Sequence, residues 1–151
     1  MKHKPLFAVF RLALPLMLAL LACSLAPLKK NAEFVIPIGG TWNASLFDTG
    51  ITLTAGQTYK IDTIGSVKPS SANPISAGPG GTTEVQAWQD NYSFRSDWPH
   101  EAVIARIGGG DYILIGLGGT FTAEQGGLLE IGVNDSDPGN NEGSFSVEIT
   151  Y

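Results

Sequence analysis

Cysteine is nearly absent from the chain: Cys23 is the only one in 151 residues. No intrachain disulfide can form, so the fold must rest on packing, and a cysteine-built zinc site is excluded. Histidine is scarce too, with His3 and His100 the only two. One histidine in the body of the chain cannot build the usual catalytic zinc site, and no nucleophile motif accompanies His100, which reads as structural. Basic residues are few: nine Lys and Arg against 14 Asp and Glu. Lys2, Lys4 and Arg11 precede Cys23, whereas every acidic residue follows it, leaving a balance of −8 beyond that point. Nucleic acids and anionic membrane surfaces are bound through Lys and Arg, so neither is an expected ligand, whereas a cation is. No helical period of useful length follows Cys23. No glycine run continues into the Gly-Lys-Ser/Thr of a phosphate loop.

What is present begins with an N-terminal basic pair and an apolar run from Leu6 to Ala22, whose uninterrupted part is Leu12 to Ala22. That pattern is a secretory signal, too short for a comfortable membrane span of about 20 residues. Leu20-Leu21-Ala22-Cys23 resembles a bacterial lipobox, in which the chain is cut before the cysteine and the cysteine is lipidated. Lipidation would also explain a lone thiol in an exported protein. The expected organisation is a signal over residues 1–22, a lipidated Cys23 and tether over 23–33, and one domain over 34–151. An ordinary cleaved signal and an uncleaved anchor are the alternatives. Acyl chains on Cys23 would hold the protein to a bacterial envelope membrane without a spanning helix. Ser24 fits sorting to the outer membrane or cell surface.

Nineteen glycines punctuate the body at turn-like places, including Gly78 to Gly81, Gly108 to Gly110 and Gly116 to Gly119. Short runs rich in Ile, Val, Phe, Tyr and Thr lie between them. Turns every ten or so residues between such runs predict a single all-β sandwich. The clearest unit is Leu128 to Tyr151. Leu129, Ile131 and Val133 alternate with Glu130 and Gly132; Phe145, Val147 and Ile149 alternate with Ser144, Ser146 and Glu148. The loop between these two predicted strands holds Asp135, Asp137, Asn140 and Asn141. Oxygen donors at such spacing are what Ca²⁺ requires, although the same residues also serve as plain turn chemistry.

The segment NDSDPGNNEGSFSVEI resembles the C-terminal signature of the PA-I-type galactophilic lectins, small bacterial β-sandwich proteins that bind galactose through Ca²⁺. Weaker likenesses run upstream through Trp42, Thr49-Gly50-Ile51, TYKIDTIG, Gly78-Pro79-Gly80-Gly81 and AVIARIG at Ala102 to Gly108. The resemblance implies a jelly-roll-like sandwich whose Ca²⁺ is held by Asp135, Asn140 and Asn141. Asp137, through its side chain or carbonyl, and the Pro69 carbonyl would complete the shell. Two sugar hydroxyls would fill the remaining positions, with Asp135 and Asn140 also contacting the sugar. Two departures are plain. The Asp135–Asn140 loop is two residues shorter than in the best-known galactose binder, and the family's sugar-contacting histidine has no counterpart near Glu84, Val85 and Gln86. Gln86 or Gln89 is the expected replacement.

Val85 to His100 holds Trp88, Tyr92, Phe94 and Trp98. Such rings either stack on the C–H faces of pyranoses, with Trp88 the candidate, or build core. Three functions follow in order. The first is a calcium-dependent carbohydrate-binding surface lipoprotein, with galactose-like glycans as partners and self-association left open. The second is a structural or protein-interaction domain whose calcium only stiffens the terminal loop. The third, remote, is a small glycosidase, for which no sequence feature pairs two carboxylates.

Overall fold

The computed structural model describes residues 31–37, 46–70, 75–83 and 88–151. The signal segment, Cys23, Trp42, Glu84 and Gln86 lie outside these. Among the described residues eight strands form two antiparallel sheets. They are β1 (Asn31–Pro37), β2 (Leu46–Leu53), β3 (Thr58–Lys68), β4 (Val103–Ile107), β5 (Tyr112–Leu114), β6 (Gly118–Thr122), β7 (Gly127–Val133) and β8 (Glu142–Thr150). One sheet runs β1-β8-β3-β6 and the other β2-β7-β4-β5. The chain is thus an all-β sandwich, as its turn spacing predicts. One helical turn, α1 (Gln89–Tyr92), and a 3-10 turn (Pro138–Asn140) lie in the connections. No helix among the described residues is long and apolar enough to cross a membrane.

The period of two in β7 and β8 has its expected cause. Leu129, Ile131 and Val133 from one sheet meet Phe145, Val147 and Ile149 from the other in the shared core, joined by Leu53, Tyr59, Ile61 and Ile107. Sheets pack face to face when each offers one apolar face, which alternation supplies. Central β8 is held from both sides, by β1 from Asn31↔Thr150 to Pro37↔Ser144 and by β3 from Lys60↔Thr150 to Lys68↔Glu142. One close approach needs glycine: Gly65, at φ 122°, lies against the Ser144 carbonyl and the Phe145 ring, where a Cβ would collide. The expected boundary near Phe34 falls three residues late, because β1 begins at Asn31 and pairs with β8 along its whole length. An edge strand gains its ladder from its neighbour, so its own sequence need carry little pattern.

The ladders also orient the ends. β4 and β8 begin where β3 and β7 finish, since Val103 faces Val133 and Lys68 faces Glu142. The connections around residues 69–70, 75–82, 95–102 and 134–141 therefore meet at one end of the sandwich.

Candidate functional site

Two ladder extensions bring polar groups together there. Beyond the Val103↔Val133 pair, the Asn134 N–H donates to the Ala102 carbonyl at 2.8 Å and the Glu101 N–H to the Asn134 carbonyl at 3.4 Å. Glu101 consequently falls beside Asp135. On the other sheet the β3–β8 ladder ends at Lys68↔Glu142, with Pro69 and Asn141 the next residues of the two segments. The Asn141 side chain bridges the two sheets: its Nδ2 donates to Glu101 Oε1 at 2.6 Å and to Asp135 Oδ2 at 2.8 Å. His100 Nε2 lies 3.8 Å from Glu101 Oε1 and 3.9 Å from Asp135 Oδ2. Its Nδ1 is 3.1 Å from Ser93 Oγ.

None of these four residues is more than 3% exposed. Burial, reinforced by the facing Asp135 charge, pushes the Glu101 carboxyl up to about 9, and the Asn141 hydrogen bond only partly opposes this. Burial also holds the His100 imidazole below its ordinary value, against the pull of Asp135. Near neutral pH the cluster therefore keeps a proton on Glu101 and a neutral imidazole. Opposed carboxylates in low dielectric cannot both ionise without a compensating positive charge.

The loop carrying Asp135 is fixed by its own side chains. Asn134 accepts from the Arg95 N–H at 2.9 Å, and its Nδ2 donates to the carbonyls of Arg95, Trp98 and Pro99 at 2.9, 3.3 and 3.2 Å. Asp135 Oδ1 accepts from the Asp137 N–H at 2.8 Å, an Asx-type turn that the Asp-x-Asp spacing favours. Pro138 then starts the 3-10 turn, and the Asn141 N–H closes it on the Pro138 carbonyl at 3.1 Å. Glu101 has φ 63°, the only non-glycine in the left-handed region among the described residues. A buried acid in that conformation is the kind of backbone strain found at functional sites.

Two oxygens of the cluster have no hydrogen-bond partner, Glu101 Oε2 and Asn141 Oδ1. His100, Glu101 and Asp135 each offer a ligand atom, all within 4.8 Å of one another. Carboxylate and amide oxygens are the donors a hard divalent cation takes, and an unpartnered buried oxygen is one whose desolvation such an ion would offset. The Glu101 and Asp135 carboxylates and the Asn141 amide oxygen fit Ca²⁺ in donor type.

Beside the cluster stands an aromatic shelf. Trp88, just before α1, and Tyr92, its last residue, are 37% and 45% exposed with ring centres 6.3 Å apart. Trp88 meets His100 edge-on at 5.5 Å. The Tyr92 carbonyl accepts from the Ser136 N–H at 2.6 Å and the Ser136 hydroxyl at 3.0 Å, tying the shelf to the Asp135 loop. A pocket of about 240 Å³ opens between α1 and the Trp98-Pro99-His100 turn.

The expected residues divide accordingly. Asp135 and Asn141 meet in the cluster, whereas no contact ties Pro69 to it among the described residues. Asp137 and Asn140 are exposed on the turn, Asp137 contributing its N–H to Asp135. Trp88 is on the shelf. Gln89 points inward, buried, with its amide donating to Thr82 Oγ1 at 3.2 Å. Sequence reasoning missed Glu101 and undervalued His100. The signal was the adjacent His-Glu pair immediately before the AVIARIG strand.

No known protein-family profile matches the chain, and no curated protein matches its sequence. Its fold does match solved structures. One is a domain described as "EclA N-terminal domain; PllA-like lectin", with a TM-score of 0.61 and 21% identity over 78% of this chain and 92% of that one. The chain therefore shares the sandwich architecture of a lectin domain.

Proposed function

We propose that the chain is a calcium-dependent carbohydrate-binding protein, exported and lipidated at Cys23. The observation that carries this reading is the buried Glu101–Asp135–Asn141 cluster, with two unpartnered oxygens, next to an exposed aromatic pair on a lectin-like sandwich. Asp135 and Glu101 supply the negative charge, Asn141 a neutral oxygen, and Asn134 pins the loop that aims Asp135. Bound Ca²⁺ would supply a Lewis-acidic centre able to take sugar hydroxyls as ligands. Trp88 and Tyr92 offer ring faces to the apolar side of a pyranose at the rim.

A second reading is favoured by one observation, the near-complete burial of the cluster. In it the cation only braces the terminal loop, and the domain has a structural or protein-interaction role. The deciding experiment is a glycan array on the purified protein with Ca²⁺, with chelator and with Asp135→Ala. The lectin reading expects binding that chelator and the substitution both abolish. Binding that survives both removes the metal from recognition; calcium stabilisation without glycan binding leaves the second reading in place.

A further inference from the structure

A second cleft lies at the opposite end of the sandwich, where β4 and β6 finish and β5 and β7 begin. Along β7, the six steps from Gly127 to Val133 separate the two ends by about 20 Å. The cleft measures about 390 Å³, within the rough 300–1,000 Å³ of small-molecule sites. Tyr59 forms part of its lining, 1% exposed and stacked on Phe121 at 5.7 Å. Its hydroxyl is buried with no hydrogen-bond partner. A tyrosine hydroxyl buried in this way normally finds a partner. Tyr112 adds a second aromatic wall, and Asp111 and Glu124 stand exposed at the rim. Neither acid joins an ion pair among the described residues, whereas nearby Arg106 is already held by Glu130 at 2.8 and 3.0 Å.

Three features thus coincide around one cleft: aromatic walls, two carboxylates outside any ion pair among the described residues, and a tyrosine whose buried hydroxyl is orphaned. Aromatic faces and carboxylates both attract cations, and the rings also accept an apolar body. We propose that this cleft binds a small organic ammonium compound. Its cationic nitrogen lies between Asp111 and Glu124, its apolar part rests against Tyr112 and Phe121, and a polar group at its inner end partners the Tyr59 hydroxyl. The site is separate from the cation cluster and does not depend on the carbohydrate reading.

The test is an NMR titration of the purified protein with phenethylammonium and with 2-phenylethanol, a neutral probe of nearly the same shape. The ammonium probe should shift the amide resonances of Asp111, Tyr112, Phe121 and Glu124 and bind about tenfold tighter than the alcohol. The double variant Asp111→Asn/Glu124→Gln, altering only exposed side chains, should bring the two probes to equal affinity. Tyr59→Asn would disturb the core, so Tyr59→Phe is the informative change there: it should leave the ammonium preference intact. Equal affinity in the unaltered protein, shifts elsewhere on the domain, or no shift at millimolar probe would overturn the proposal.

Discussion

Raising the pH should destabilise this domain in calcium-free buffer, and Glu101 is the reason. Its carboxyl is held near 9 in the folded chain against a model value of 4.5, through burial and the facing Asp135. Between those values the folded state keeps a proton that the unfolded state has released. Stability from this group is fully present below the lower value and is lost as pH rises toward the upper one. His100 acts in the opposite sense, because its lowered value makes stability rise as pH approaches 6.5 from below. A window from about pH 7 to about pH 8.5 isolates Glu101. At ~1.4 kcal/mol per pH unit, the loss across it is about 2 kcal/mol, or roughly 5–10 °C in Tm for a domain of this size. Glu101→Gln keeps a neutral hydrogen-bonding side chain and should flatten the profile. Thermal unfolding monitored by circular dichroism, with chelator present throughout, measures both. A Tm that holds steady or climbs across the window would refute the argument, as would an undiminished slope in Glu101→Gln. Millimolar Ca²⁺ should shrink the slope, since a bound cation replaces the proton.

Other expectations concern single side chains. Asn134→Ala strips four hydrogen bonds from a buried loop anchor and should cost about 2–4 kcal/mol, read as a lower denaturation midpoint. Trp88→Ala removes an exposed ring, so it should abolish glycan retention on an affinity column while moving Tm by less than about 2 °C. Phe145→Ala, at a fully buried position between the sheets, should cost about 3–5 kcal/mol. Glu101→Gly relieves the left-handed backbone yet deletes a proposed ligand, so it should hold or raise the chelator Tm while losing the calcium response seen by the same scan.

The sandwich was legible because β7 and β8 alternate cleanly and because glycines punctuate the turns between strands. Strand β1 was harder to bound, since Asn31, Ala32 and Glu33 show no alternation and owe their ladder to β8. Half of the candidate site could be read from the Asp-Asn loop, where local turn chemistry sets Asp135 and Asn141. Glu101 was not readable that way. Its place beside Asp135 is decided by the register of β4 on β7, whose last ladder pair on that side, Val103↔Val133, joins residues far apart in sequence, and the His-Glu pair before β4 is the only local mark of it. Asn140 and Asn141 look equivalent in sequence, and only the 3-10 turn decides that Asn141 faces in while Asn140 faces water.

The register of β1 fixes an up and a down. Asn31 pairs with Thr150, at the end of β8 remote from Glu142 and the cation cluster. The chain thus enters the domain from below, with the Asp135 loop at the summit. Strand β8 alone spans eight steps, on the order of 27 Å of height. The summit and the Tyr59 cleft thus face opposite ways along the strands, so a partner held at one leaves the other free.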